Sequence, residues 1–143
     1  MLKGIPNILS PELLKILMEM GHGDELVIAD GNFPAASHAQ RLVRCDGQQV
    51  PQLLNAVLKF FPLDTFVDHA VSLMAVVPGD NYSPDIWSEY ESIIRTHSPD
   101  FVVFEMVERF EFYERAKKAY AIVATSEMAR YANIILKKGI VTS

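Results

Sequence analysis

The chain has 143 residues, about one domain's length, and its 50% hydrophobic content with a mean hydropathy of +0.13 exceeds what a small monomer needs to fill a core, which points to a homo-oligomer with buried subunit interface. A formal net charge of −5 and a pI near 5.3 exclude a nucleic-acid backbone or an anionic membrane as partner, since both are held by clustered Lys and Arg. Cys45 is the sole cysteine, the first residues lack the basic-then-apolar pattern of a signal peptide, and no apolar run approaches the ~20 residues that span a bilayer, which together predict a cytoplasmic protein.

In chain order, Ser10-Pro11-Glu12 starts a helix: Ser10 caps the free amides, Pro11 suits the first helical position and Glu12 favours the positive end. Leu13, Leu14, Leu17 and Met20 recur at three- and four-residue spacing as an apolar stripe, and Gly21 supplies a left-handed stop. Leu26 to Ala29 is too short for a helix and reads as a buried strand. The segment from Gly31 to His38 has loop composition, with Pro34 excluding helix, and it follows a strand end, where α/β folds place ligands. Leu42 to Cys45 reads as a short strand closed by Asp46-Gly47. Val50-Pro51 opens a helix with Leu53, Leu54, Val57, Leu58 and Phe61 on one face, ended by Pro62.

Ala70 to Val77 reads as a buried strand stopped by Pro78-Gly79-Asp80. Ser83-Pro84-Asp85 repeats the helix-start chemistry of Ser10, and Ile86, Tyr90, Ile93 and Ile94, with Trp87, supply an inward stripe to about His97. A strand over Phe101 to Met106 follows. Glu108 to Lys118 is a charged, aromatic helix with Arg109, Phe112, Tyr113 and Ala116 at helical spacing and a Glu114/Lys118 surface pair. Ala119 to Thr125 and Ile134 to Leu136 complete the strands. Helices alternating with short apolar strands imply one layered α/β domain over 1–143, a short-stranded sheet flanked by helices.

The stretch Met20-Gly21-His22-Gly23-Asp24 sets a histidine on the hinge between a helix and a strand, flanked by two residues without Cβ that let a ligand approach the main chain. An exposed polar residue in an ordinary Gly-X-Gly turn has the same composition. The four histidines share no i, i+4 spacing, and a metal at His22, Asp24 and Asp30 would rest on a bare His-x-Asp pattern, so no metal is assigned. Phosphate-cradling glycine loops and a nucleophile elbow are absent. What remains is acid/base chemistry on an uncharged, hydroxyl-rich ligand. Histidine titrates near pH ~6.5 and both gives and takes protons. Asp30 either orients the imidazole, accepts from ligand hydroxyls or caps an Asx turn; Arg109 by itself reads as a surface charge of its helix. Tyr131 and Asn133, two apart on extended backbone, face one side and together could grip a sugar.

Taken as an ordered set, Ser10-Pro-Glu-Leu-Leu14, Met20-Gly-His-Gly-Asp-Glu25, Asp30 followed by Phe33-Pro34, Arg44-Cys-Asp-Gly47, Glu108-Arg-Phe-Glu-Phe-Tyr-Glu-Arg-Ala-Lys-Lys-Ala119 and Tyr131-Ala-Asn-Ile-Ile-Leu-Lys-Lys-Gly139 resemble the L-fucose mutarotases of the RbsD/FucU family across essentially the whole chain. The resemblance implies an RbsD-like layered fold and the interconversion of the α and β anomers of L-fucose through the open-chain aldehyde, without cofactor. It implies that His22 donates a proton to the ring oxygen and that Asp30, Arg109, Tyr131 and Asn133, with the backbone of Ala132, bind the sugar. The proton acceptor stays open among Tyr131, Asp30 and a bound water. The family assembles into rings, often decamers, with sites where neighbouring subunits meet. Its D-ribose pyranase branch shares Gly-His-x-Asp and Tyr-Ala-Asn but usually has His at the position of Arg109 and lacks the Phe-Tyr-Glu-Arg continuation, so Arg109 with Phe112-Tyr113 favours fucose. The alternatives are a D-ribose pyranase-like mutarotase and a non-catalytic monosaccharide-binding protein.

Overall fold

A computed structural model describes all of residues 1–143. The elements follow in the order α1 (Pro11–Glu19), β1 (Glu25–Ala29), α2 (Ala35–His38), β2 (Leu42–Cys45), α3 (Val50–Leu58), β3 (Val71–Met74), α4 (Ile86–His97), β4 (Glu105–Val107), α5 (Arg109–Lys118), β5 (Ala121–Thr125) and β6 (Ile134–Lys137). The strands form one sheet in the order β2-β5-β1-β6-β3-β4. β1 runs parallel to β5, β5 to β2 and β3 to β4, whereas β6 lies antiparallel between β1 and β3. Five strands therefore point the same way, and their C-terminal ends share one edge of the sheet with the beginning of β6.

Both faces of the sheet are covered, which is why its strands read as continuous apolar runs rather than as alternating ones. Leu26, Ile28, Leu73, Ile134 and Leu136 face a large core closed by α1, α3 and α4; Val27, Ala29, Ile122 and Ile135 face a smaller one under α2 and α5. α5 buries only Phe112 and Ala116, so most of its surface is left to charge and aromatic edges. None of the helices is long and apolar enough to cross a membrane.

Several expected elements hold at their boundaries. Ser10 caps α1 by accepting from the Leu13 amide at 3.1 Å, and β2 spans Leu42–Cys45. Others differ for physical reasons. The left-handed residue after α1 is Gly23 (φ +87), not Gly21: Met20 leaves the helix in extended backbone and the Gly21 N–H is taken by Asp24 Oδ2 at 2.7 Å. Pro34 does not exclude a helix but stands immediately before α2, a place where its missing N–H costs nothing. α4 begins at Ile86 after Asp85, and no side chain caps it, so Ser83 does not repeat the role of Ser10. β3 stops at Met74 and β4 covers only Glu105–Val107, because the edge strand finds partners only along Ser72 to Met74. Phe101 and Phe104 stay outside the sheet, 5.0 Å apart against the larger core. Glu114 pairs with Lys117 rather than Lys118.

After β6 the chain passes very close to the segment leading from α3 to β3. The Gly139 N–H donates to Pro62 O at 2.7 Å, and a Cβ there would sit 2.6 Å from Leu63 O and 2.8 Å from Asp64 Cα. Backbone cannot yield as a flexible side chain does, so Gly139→Ala is expected to destabilise by about 1–3 kcal/mol, the range of overpacked cores. Thermal unfolding followed by circular dichroism checks this; an unchanged Tm refutes it.

Candidate active site

The two ends of the sheet carry two different sets of polar groups. At the C-terminal edge a cleft of about 310 Å³ is lined by Asp30, Phe33, Arg109, Tyr113, Tyr131 and Asn133 among others. Asp30 ends β1 and Asn133 precedes β6, and the antiparallel pairing of those strands brings them together: the Asp30 N–H donates to Asn133 Oδ1 at 2.7 Å. With its carbonyl oxygen engaged, Asn133 is left with its NH2 as a donor. Burial pushes the Asp30 carboxyl above the usual carboxylate range, against the pull of the Asn32, Ala132 and Phe33 amides and of Asn133.

Tyr131 has φ +57, a left-handed conformation that costs a non-glycine residue about 1–3 kcal/mol unless neighbours hold it. α4 does so from beneath. Trp87 Nε1–H donates to Tyr131 O at 2.8 Å and the Tyr90 hydroxyl donates to Ala132 O at 2.7 Å. Burial, with Glu127 and Asp30 nearby, raises Tyr90 far above the ordinary phenol range, so it serves only as a donor. The turn before Tyr131 is fixed by the buried Glu127 carboxylate, which accepts from the Val50 and Ala129 amides.

Arg109 opens α5 beside the Glu108 cap, whose carboxylate accepts from the Phe110 and Glu111 amides. Its Nε–H donates to the Tyr113 hydroxyl at 3.2 Å, one helical turn on, and Tyr113 packs edge-on against Phe33 at 5.5 Å. The cleft thus holds an acidic acceptor, two cations in Arg109 and Arg130, two phenols and two primary amides over an aromatic and aliphatic floor.

His22 lies at the other edge. The hinge is pinned by the Gly23 N–H donating to Lys138 O at 2.8 Å, and Lys138 Nζ donates to Leu17 O at the open end of α1. His22 Nε2 sits 3.1 Å from Asp64 Oδ1, which also accepts from the Phe66 amide at 3.0 Å. The imidazole is 45% exposed and the Asp64 side chain 4%. Burial alone would raise the Asp64 carboxyl, but the Phe66 amide and the imidazole outweigh it and hold the group below the usual range. An ionised Asp64 accepts from a protonated Nε2, leaving Nδ1 as the nitrogen that can exchange a proton. Asp24 turns its carboxylate back onto the Gly21 amide.

Within one chain, then, Asp30, Arg109, Tyr131 and Asn133 meet at one cleft with Ala132 between the last two, whereas His22 is separated from them by the length of β1, roughly 13 Å at ~3.3 Å per residue. Asp64 and Tyr113 join the two sets without having been singled out as site residues in the sequence. Tyr113 carried a signal, its i, i+4 spacing from Arg109; Asp64, 42 residues from its partner, carried none.

The model of the RbsD / FucU transport protein family matches residues 3–141. The chain belongs to that family. It is 53% identical over 145 residues to the fucose mutarotase of Homo sapiens, a match covering 97% of this chain and 94% of that one. Its fold superposes with a TM-score of 0.94 on the crystal structure of the fucose mutarotase of Streptococcus pneumoniae in complex with L-fucose, at 55% identity and with 99% of this chain and 100% of that chain covered. With the Bacillus subtilis RbsD complexed with D-ribose it shares a fold, at a TM-score of 0.71, 22% identity, and 94% and 95% coverage.

The two carboxylates at opposite edges have opposite linkage to stability. Asp64 titrates lower in the fold than in the unfolded chain, so its contribution is complete above the ordinary value of 3.8 and is lost as pH falls through the folded value. Asp30 titrates higher in the fold, so its contribution falls as pH rises from 3.8 through the raised value. Urea unfolding between about pH 3 and 6 is expected to show Asp64→Asn flattening the acid loss of stability and Asp30→Asn removing a loss on the alkaline side of it; the same slope change in both variants refutes the assignment.

Proposed function

We propose that the protein is an enzyme, an L-fucose mutarotase that interconverts the α and β anomers by acid/base-assisted opening and closure of the ring. The observation that carries this reading is the convergence of Asp30, Arg109, Tyr131 and Asn133 on one cleft whose 310 Å³ sits at the small end of ligand sites, a size for a single monosaccharide. The close similarity to fucose mutarotases, one of them with L-fucose bound, supports fucose over ribose, for which the likeness is one of fold.

Ring opening gives a proton to the ring oxygen and takes one from the anomeric hydroxyl; closure on the other face reverses both, and no C–H bond breaks. His22, held by Asp64, is the proton donor. Tyr113 is the group that relays the anomeric proton, passing its own hydroxyl proton to solvent as it takes the sugar's: its oxygen already accepts from Arg109, whereas the Tyr131 hydroxyl is committed to Asp80 at 2.8 Å and Asp30 is bound by backbone amides. Asp30 and Asn133 take the remaining sugar hydroxyls. Because His22 and the cleft lie at opposite edges of the sheet, the acid comes from a neighbouring protomer, and the working form is a homo-oligomer, a ring of the decameric kind, in the cytoplasm. Supporting this, Phe66 beside His22 is 70% exposed, and Met106 and Phe110, which border an apolar groove adjoining Arg109, are 46% and 64% exposed.

Saturation-transfer NMR between the fucose anomers tests the reaction. The protein is expected to accelerate exchange over buffer, and His22→Ala to lower the rate by roughly 10²–10⁴-fold while fucose still binds. Exchange no faster than in buffer, or full activity in His22→Ala, refutes the assignment in favour of a sugar-binding protein. The shared site has its own test: His22→Ala and Asp30→Asn chains, each inactive, should recover activity when co-expressed and assembled together. Mixed assemblies that stay inactive refute it.

A further inference from the structure

The loop between β3 and α4 closes onto Tyr131 through one carboxylate. The Tyr131 hydroxyl donates to Asp80 Oδ2 at 2.8 Å, and Asp80 Oδ1 accepts from the Tyr82 amide at 3.0 Å. Arg130 pairs with the same Oδ2 and lays its guanidinium 4.5 Å over the Tyr82 ring, which is stacked 6.0 Å from the Tyr131 ring. The Val77 N–H completes the set, donating to the Tyr131 oxygen at 3.3 Å.

These contacts decide what the phenol can offer a ligand. An ionised carboxylate has no proton to give, so the hydrogen between Tyr131 and Asp80 belongs to Tyr131 and points away from the cleft. One lone pair of the phenol oxygen receives the Val77 amide, which leaves a single lone pair for anything bound beside it. The Tyr131 phenol, followed by the Tyr82 amide, holds the Asp80 carboxyl below the usual range, so the acceptor stays ionised near neutrality. The backbone cannot re-aim the ring, because Trp87 holds Tyr131 O in its left-handed conformation.

We propose that Asp80 is a positioning residue: by accepting the hydrogen bond of the Tyr131 hydroxyl it makes Tyr131 a pure hydrogen-bond acceptor in the cleft, selecting a sugar whose hydroxyl at that place donates. This rests on the cleft being the sugar site. Asp80→Asn is the informative change. The amide that replaces the carboxylate has one oxygen for three donors, the Tyr82 N–H, Arg130 and the Tyr131 hydroxyl, so the phenol loses its dedicated acceptor and its hydrogen is released toward the cleft.

In anomer-exchange kinetics Asp80→Asn is expected to raise KM for L-fucose roughly three- to tenfold, the worth of one neutral hydrogen bond. kcat should stay within about twofold, since Tyr131 grips sugar and transition state alike. Introduced into Tyr131→Phe, the same change should add nothing. A further KM loss in that background, or a fall in kcat at unchanged KM, overturns the proposal. A second measurement needs no turnover. In protein labelled with [13Cζ]tyrosine, the Tyr131 signal, assigned by its absence in Tyr131→Phe, should move in Asp80→Asn; a signal that stays in place overturns the proposal even if the fucose reading itself were to fail in the exchange assay.

Discussion

The antiparallel insertion of β6 between two parallel strands is the constraint on which the rest depends. A sixth parallel strand in that place would begin at the far edge, and Tyr131, Ala132 and Asn133 would never meet Asp30. Running against its neighbours, β6 starts where β1 ends and finishes where β1 begins, so one four-residue strand feeds the cleft at one edge and the His22 hinge at the other. It is paired along both sides and its Ile134 and Leu136 are fully buried, each such side chain worth about 1.5–3 kcal/mol out of water. The strand is therefore rigid enough to carry a strained Tyr131 at its entry and a contact at Gly139 that leaves no room for a methyl group at its exit.

Three aspartates divide the electrostatic work by environment alone. Asp30 is raised by burial despite its amide partners, which makes its oxygens strong acceptors for hydroxyl groups. Asp64 is equally hidden from solvent, yet the Phe66 amide and the His22 imidazole bring it down, so it remains a charge that orients the imidazole. Asp80, more open, is held down by the Tyr131 phenol. On the proposed reading the same side chain accepts from a ligand, steadies an acid or sets the direction of a hydroxyl, according to what it is hydrogen-bonded to.

How much of this is legible in the sequence follows from the range of each interaction. α1 and β2 were readable because capping and alternation act within a few residues, and the mixed α/β layering followed from the order of the segments. The role of Pro34 was misread because exclusion from a helix interior was taken for exclusion from a helix start, and β3 and β4 were drawn too long because apolar runs continue past the last paired residue. At the site, Asp30, Arg109, Tyr131 and Asn133 were chosen through the ordered motifs, and the sheet brings them to one cleft. Asp64 was missed because nothing local ties residue 64 to residue 22; the tie is made by the backbone passage at Gly139 and by the Lys137 carbonyl that accepts from the Asp64 amide.

One spatial fact was nevertheless present in the sequence. If residues 25 to 29 are a strand, then whatever precedes it and whatever follows it must lie at opposite edges of the sheet, because the strand is extended at ~3.3 Å per residue. One of the three roles open to Asp30, orienting the His22 imidazole, needs the two residues to be neighbours, and the five-residue strand between them parts them. A helix of the same length would have brought them within two turns of each other; a strand cannot. On the proposed reading the enzyme gains from this separation. A proton donor at one edge and a sugar cleft at the other would be idle in an isolated protomer and complete only across a contact, so the exposed Phe66, Met106 and Phe110, if they form that contact, would also govern when chemistry becomes available.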